Sequence, residues 1–375
     1  MTDQLKRVLI VGGGFSGMAA AIELDRLGID VDLAEIDAGW RSYGAGISLN
    51  GGTFRAMARL GILDAFRPVG AMTDGVEMRG PQDQVVARLP TPALLEGTTG
   101  TGGVMRPVLA KLLADRVRAG NTNVRLGVTF TAIEDRADGC HVSFSDGTTG
   151  RYDLVIGADG LYSAVRNAVW PEAPKPRYIG QAVWRAVVPR PEHLSTVTMW
   201  IGPKLKVGIN HVSNTHSYVF LTEDRPVNEH VPEETHVEAL RELLGRFPSP
   251  TMQALAADLS ASHQVVFRPL EQLLLQRPWS KGRVVLIGDA VHATTPHMAA
   301  GAMIGLEDAI VLAEELHKAA DIATALAAFE NRRWDRCRMV VENSGRLAEI
   351  EQGHGTPEEH SRIMAQTLGA LAQPI

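Results

Sequence analysis

Arg7-Val8-Leu9-Ile10-Val11-Gly12-Gly13-Gly14-Phe15-Ser16-Gly17-Met18-Ala19-Ala20-Ala21 is the stretch on which the reading of this chain turns. Val8–Val11 is a short apolar run closed by three glycines, and from Phe15 to Leu27 the pattern becomes helical. A second short run, Ile29 to Ala34, ends at Glu35. Strand, glycine turn, helix and strand within about 30 residues make a βαβ unit, so the first two strands are expected to be parallel. The glycines follow the order G-x-G-x-x-G: Gly12 permits the tight turn, Gly14 lets the backbone approach a pyrophosphate, and Gly17 lets helix and strand pack closely. The helix N-terminus adds free N–H groups and positive potential for that anion. Glu35 follows Gly12 by 23 residues, where a carboxylate accepts hydrogen bonds from ribose hydroxyls.

That unit alone does not separate FAD from NAD(P). Two later segments bear on the choice. Asp153-Leu154-Val155-Ile156-Gly157-Ala158-Asp159-Gly160 is a strand ending in Asp-Gly, followed by Ser163 and Arg166. Gly282-Arg283-Val284-Val285-Leu286-Ile287-Gly288-Asp289-Ala290 is a second strand, ending in Gly-Asp. A carboxylate at the carboxyl end of a parallel strand points into the ligand crevice, which places Asp289 to reach the ribityl hydroxyls of an extended flavin dinucleotide. The competing reading of either aspartate is a turn residue or helix cap.

Composition narrows the field around these motifs. A length of 375 residues gives a soft prior of two domains, and a net charge of −6 without a basic run argues against a nucleic-acid binder. Cys140 and Cys337 lie far apart, which speaks against a disulfide scaffold, a CxxC pair or a cysteine-rich metal site. No apolar stretch approaches the ~20 residues of a membrane span, and the apolar strand begins too early to leave room for a signal peptide. A cytoplasmic protein is expected, with neither membrane nor nucleic acid as partner.

Further along, Arg106 to Ala119 reads as an amphipathic helix, and Val124–Phe130, Cys140–Phe144 and Tyr152–Ile156 as strands, with Asp146-Gly147 as a hairpin signal. Between Tyr178 and Thr222 the runs Gln181–Val188, Val197–Ile201, Lys204–Asn210 and Ser217–Leu221 suggest an inserted antiparallel sheet. A helix near Glu234–Phe247 follows, then the strand Arg283–Ile287, expected to rejoin the first sheet, and helices at Ile304–Ala319 and Ile322–Ile350. The expected architecture is α/β: a Rossmann-like FAD-binding domain of residues 1–177 and 262–320, a substrate-binding β-sheet domain of 178–261, and a helical C-terminal region of 321–375. The last region either packs on the nucleotide domain or forms a dimer face, so monomer and homodimer both stay open.

With these three motifs in order, the chain resembles the FAD-dependent aromatic-ring monooxygenases of the para-hydroxybenzoate and salicylate hydroxylase type. The likeness runs from about Val8 to Leu347 and is carried by the N-terminal glycines, Asp159-Gly160 and the segment Gly288–Ala309. The resemblance also picks out Arg41 and Arg106 as contacts to the flavin or its phosphates, and Pro296, Gly301, Ala302 and Met303 beside the isoalloxazine. A helix beginning near Met303 would favour anionic reduced flavin through its dipole. One departure is Ala300, where many relatives carry glutamine. The resemblance implies NADH or NADPH as reductant, O2 as co-substrate, and a flavin C4a-hydroperoxide that hydroxylates a small phenolic or N-heteroaromatic substrate. The alternative is a non-oxygenating flavoprotein of the same fold, a reductase or flavin-binding scaffold.

For substrate handling the inserted sheet offers Trp184, Arg185, Met199, Trp200, Asn210, His211 and Tyr218. His211 is a candidate base, Tyr218 a donor to a substrate oxygen, and Arg185 a partner for a substrate carboxylate. Strand alternation forbids Asn210 and His211 from both pointing inward. Pro296 and His297 are candidates beside the flavin, whereas His292 reads as a packed, hydrogen-bonded residue. The His292–His297 spacing gives no natural metal pair, and the sequence shows no third ligand near them.

Overall fold

The computed structural model describes residues 5–202, 204–261 and 263–375. Its central sheet has six strands, in the order Ser280–Lys281, Val284–Leu286, Leu154–Gly157, Arg7–Val11, Asp30–Glu35 and Asn123–Leu126. Arg7–Val11 lies parallel to both Asp30–Glu35 and Leu154–Gly157, and Val284–Leu286 continues the parallel order beside Leu154–Gly157. The strand from the last third of the chain thus rejoins the first sheet. Val8, Leu9 and Ile10 have no exposed surface, which accounts for an apolar run without alternation: both faces of the sheet are covered. Helix Phe15–Arg26, rich in alanine, lies between this sheet and helix Gly301–Lys318, and eight of its residues are buried.

Two expected strands divide. Val124–Phe130 becomes Asn123–Leu126 in the central sheet and Phe130–Arg136 in a separate three-stranded antiparallel sheet. Likewise Thr149–Tyr152 closes the Asp146-Gly147 hairpin with Gly139–Phe144, while Leu154–Gly157 joins the parallel sheet. Asp153 marks the division: its carboxylate accepts from the backbone N–H groups of Lys6 and Arg7.

The second large sheet has seven strands, and its edges lie outside residues 178–261. Its order is Val265–Gln272, Arg177–Pro189, His216–Asp224, Leu205–His211, Val197–Gly202, Val76–Arg79 and Val85–Leu89. It is also not wholly antiparallel, because Val197–Gly202 pairs in parallel with Val76–Arg79. Strands so distant in sequence meet because each supplies an edge that local periodicity does not reveal. Helices His236–Gly245 and Pro250–Asp258 cover the outer face, and Trp184, Trp200, Val207, Ile209 and Leu221 pack beneath them. The inner face looks toward the nucleotide domain.

At the C-terminus, helix Ile322–Glu351 packs along Gly301–Lys318, and Pro357–Ala372 packs against Gly51–Leu60. Arg336 and Arg55 donate to carbonyls of residues 370–373, fixing that last helix to the nucleotide domain of the same chain. Among the described residues, no helix is long and apolar enough to cross a membrane.

Candidate active site

The three glycine-bearing segments converge on the start of the first helix. Gly12 has φ +103°, and a Cβ there would stand 2.5 Å from the Ala158 carbonyl oxygen, so the turn closes against the Asp159 segment only with glycine. Ser16 is seated between Gly288 and Gly305; a Cβ on either would lie 2.4 Å from its Oγ. Arg166 ties the remaining pair together by donating to the Ala290 carbonyl at 2.8 Å. Beside this junction a cavity of about 340 Å³ is lined by Gly13, Gly14, Phe15, Glu35, Arg41 and Arg106, among others.

The donors around that cavity suit a dinucleotide. Helix Phe15–Arg26 starts from Gly14 with no side-chain cap, leaving its first N–H groups for an anion. Glu35 accepts from the N–H groups of Gly13 and Asp37, each at 2.7 Å, which fixes its carboxylate while each oxygen keeps a further lone pair for a hydroxyl. Arg41 is exposed and pairs with Asp37 at 3.2 Å. Arg106 keeps surface open to the cavity, stacks 4.8 Å from the Phe15 ring, and faces Asp289, which is itself exposed. Trp40, which sequence reasoning missed, donates from Nε1 to the Gly13 carbonyl at 2.8 Å and roofs the glycine turn.

Asp159, which the resemblance places among the cofactor-binding residues, also supports the helix that follows it. Its oxygens accept from Ser163 Oγ at 2.5 Å and from the Val165 N–H at 3.0 Å, so the side chain braces the first turn of helix Ala164–Val169, whose N-cap is Ser163. The segment's link to the cofactor cleft runs through its backbone contact with Gly12.

Beyond Pro296, which is exposed, the chain makes a tight turn and enters helix Gly301–Lys318 through Ala300, again without a side-chain cap. Its first turn therefore offers N–H groups from Gly301, Ala302 and Met303. The Met303 side chain is buried, close enough to Gly52 that a Cβ there would lie 2.3 Å from its sulfur, so only its backbone is left to a cofactor. Ala299 holds a left-handed conformation at φ +48°, and its carbonyl accepts from Asn50 Nδ2 at 3.3 Å.

On the seven-stranded sheet the alternation separates the candidates. Asn210 faces inward and donates to Ser48 Oγ at 3.0 Å and the Gly102 carbonyl at 2.9 Å. Tyr218 shares that face, its hydroxyl 2.7 Å from Ser48 Oγ and its ring against Gly46; burial pushes its pKa up. Arg185, Phe220, Gly208 and Met199 form the adjacent inward row. His211 is not a base facing substrate: it lies on the outer face, fully buried, with Nδ1 at 2.8 Å from Ser217 Oγ and Nε2 at 2.9 Å from the Leu194 carbonyl. Trp184 and Trp200 are likewise outward core residues, their indoles bonded to Glu223 and Asp83.

His297 is also turned from the cleft. Nδ1 meets Thr295 Oγ1 at 2.9 Å and Nε2 lies 3.4 Å from Glu351, whose other oxygen pairs with Lys206. Burial and then Lys206 depress its pKa, favouring neutral imidazole. The group ties the Pro296 turn to the sheet and the C-terminal helix, a positioning part and not a catalytic one.

His292 belongs to a deeper network. Its Nε2 lies 2.5 Å from Asp308, which also accepts from the Gly288 N–H and from Arg333 Nε, both at 2.8 Å. Two groups that the sequence reading did not bring near His292 do converge on it, though not with His297: atoms of His292, Asp308 and Cys337 lie within 4.8 Å of one another. The Arg333 guanidinium sits against Asp308 and Cys337 and supplies the positive charge itself, so the group reads as a salt-bridge core.

These features fit a flavoprotein of the FAD-binding-domain class, with one uncapped helix N-terminus at the cavity and a second at Gly301. Comparison with known proteins agrees. The family model described as FAD binding domain matches residues 6–344. The chain is 34% identical to the 2-heptyl-3-hydroxy-4(1H)-quinolone synthase of Pseudomonas aeruginosa over 92% of this chain and 90% of that one. It is 31% identical to the 6-hydroxynicotinate 3-monooxygenase of Pseudomonas fluorescens, covering 90% of each. The crystal structure of Klebsiella pneumoniae HpxO complexed with FAD and uric acid superposes with a TM-score of 0.85 at 28% identity, over 98% of this chain and 97% of that one. The chain belongs to the FAD-dependent monooxygenase family and is a flavin monooxygenase with FAD as cofactor.

Proposed function

We propose that the protein uses NADH or NADPH and O2 to hydroxylate a small phenolic or N-heteroaromatic compound. The observation that carries this reading is the inward face of the seven-stranded sheet. Tyr218 meets Ser48 and Gly46 of the nucleotide domain, and Arg185, in the adjacent inward row with Phe220 and Met199, comes near Arg106 of the cofactor cavity. The relatives' names support the ring class, since urate, hydroxynicotinate and quinolone are all N-heteroaromatic.

Bound FAD, once reduced, supplies the activated oxygen. The chain's own part follows from its residues. Glu35, Arg41, Arg106 and Asp289 hold the dinucleotide, and the N-terminus of Gly301–Lys318 stabilises negative charge at the ring end. Tyr218 orients a substrate oxygen and exchanges its proton with Ser48, while Phe220 and Met199 exclude water. One glycine turn serves the parallel sheet among the described residues, so pyridine nucleotide is proposed to bind transiently without a domain of its own.

The test is NADH and NADPH oxidation by the FAD-loaded protein across phenols, hydroxybenzoates, hydroxypyridines and hydroxyquinolines, with peroxide quantified. Stimulation by one ring class with little peroxide is expected. Retained flavin with no ring-stimulated oxidation would favour the scaffold or reductase reading.

A further inference from the structure

Trp40 holds a backbone conformation that bulky side chains avoid. Its φ is +46°, in the left-handed region, where a large aromatic is an outlier that persists only when its surroundings fix it. The fixing contacts are local. Gly39 N–H donates to Asp37 Oδ1 at 2.6 Å and Trp40 N–H to the Asp37 carbonyl at 3.0 Å, which folds residues 37–40 into a turn. Arg118, exposed at the end of helix Arg106–Arg118, lies over the indole with its guanidinium carbon 4.7 Å from the ring. The indole is thereby carried onto the glycine turn, where Nε1 donates to the Gly13 carbonyl at 2.8 Å.

Gly13 occupies the position that G-x-G-x-x-G leaves open to any residue. Here a Cβ would stand 2.5 Å from Trp40 Nε1 and 3.0 Å from Glu35 Oε2, so what lies beside the turn demands glycine. With Gly12 and Gly14 on either side, the turn is three glycines long, and its peptide planes rotate with little steric resistance. Rotation of the Gly13–Gly14 peptide would bring its carbonyl oxygen to where its N–H had been, and a carbonyl oxygen repels a phosphate. Two side chains oppose that rotation: Glu35 accepts from the Gly13 N–H at 2.7 Å, and Trp40 holds the Gly13 carbonyl. A trans peptide carries its C=O and N–H on opposite edges, so the Gly14 N–H is directed away from the indole. It meets no acceptor among the described residues, and it stands next to the uncapped start of helix Phe15–Arg26.

We propose that Trp40 is a positioning residue for the FAD pyrophosphate. Its indole N–H locks the Gly13–Gly14 peptide with the Gly14 N–H free for the anion, and Arg118 steadies the indole. The left-handed conformation of Trp40 is then retained for preorganisation, since donors already oriented lose little freedom when the anion binds. This role lies at the phosphate end of the cofactor and is independent of which ring the enzyme hydroxylates.

The experiment measures FAD dissociation from the full-length holoenzyme by the flavin fluorescence released on dilution, alone and with ADP as competitor. ADP carries the pyrophosphate without the flavin ring. Trp40→Phe keeps an aromatic ring for Arg118 and removes the N–H. It should weaken FAD and ADP by the same factor, about five- to tenfold, the size of one lost hydrogen bond. The reduction potential of the bound flavin should not move, because the ring end is untouched. Arg118→Met, a surface change, should weaken both ligands about two- to threefold. Unchanged affinity for both ligands in Trp40→Phe overturns the proposal. Weaker FAD with ADP unaffected, or a shifted potential, would place the effect at the flavin ring and overturns it too. ADP that fails to displace FAD from the parent protein has the same consequence, since the pyrophosphate is then not held at this turn. If Trp40→Phe is recovered unfolded, Arg118→Met decides: equal weakening of both ligands supports the role, and no weakening removes it.

Discussion

Asp308→Asn isolates the charge network beneath the cofactor turn. The parent carboxylate is fully buried and accepts from Gly288, His292 and Arg333. Burial opposes its charge, but His292 and Arg333 prevail and hold its pKa at about 2 against an ordinary 3.8, a preference of roughly 2 kcal/mol for the charged form. Asparagine keeps the shape but leaves His292 and Arg333 short of counter-charge, a change that typically costs about 3–5 kcal/mol. Arg333 retains Glu307 at 2.9 Å, which places the expected loss at the lower end, about 3 kcal/mol. With an unfolding entropy of roughly 0.8 kcal/mol/K for a chain of 375 residues, that is a fall in Tm of about 4 °C. The assay is thermal unfolding of the FAD-loaded variant beside Asp146→Asn, whose carboxylate is also held at about 2, by Thr148 and Arg125, but in solvent. Asp146→Asn should shift Tm by no more than about 1 °C. Equal losses in the two variants would refute the argument that burial, not the depressed pKa, sets the energy. The contribution of Asp308 is complete above about pH 4 and lost as pH falls toward its folded value, so the gap between parent and Asp308→Asn should close in acid.

Glu351→Gln strands Lys206 and His297; burial opposes the parent's charge, but Lys206 holds the carboxyl well below its usual 4.5. The Tm deficit of this variant should be largest at neutral pH and shrink below about pH 4.5, and a deficit flat in pH would contradict the ion-pair account. His211→Leu leaves Ser217 and the Leu194 carbonyl unpaired and should cost about 2 kcal/mol. Its pH–rate profile should match the parent's, and loss of the acidic limb would restore His211 as a base. Ala299→Gly relieves the left-handed residue and should raise Tm or leave it unchanged, whereas Ala299→Val should lower it by several degrees. Tyr218→Phe should cut substrate-stimulated NAD(P)H oxidation on the order of 10²-fold and raise the peroxide share; unchanged coupling, measured as product per NAD(P)H, would remove Tyr218 from the site.

Much of the nucleotide domain was legible because its signals are local. Val8–Val11, the glycines and Phe15–Leu27 each declare their conformation within a few residues, and the parallel pairing follows from the helix between the strands. Arg283–Ile287 was legible as a strand for the same reason. The substrate sheet was legible in its middle and not at its edges, since Val76–Arg79 is a short strand with nothing in its pattern to name Val197–Gly202, over a hundred residues away, and Val85–Leu89 only follows it as a hairpin. Asp159 shows the limit at the site: an Asp-Gly at a strand end has one sequence signature, whether or not its carboxylate also braces the next helix.

The sequence by itself determined that a parallel sheet with a glycine turn binds a dinucleotide, and that a second sheet of alternating strands accompanies it. Only the tertiary structure decided which side chains enter the space between them. A one-residue alternation sends Asn210, Tyr218 and Arg185 inward and His211 and Trp184 outward, and the hydrophobic pattern alone does not say which face meets helices and which meets the cofactor cleft. Only the fold brought Lys206, His297 and Glu351 together, because ion pairing depends on distances through space between residues that share no neighbourhood along the chain.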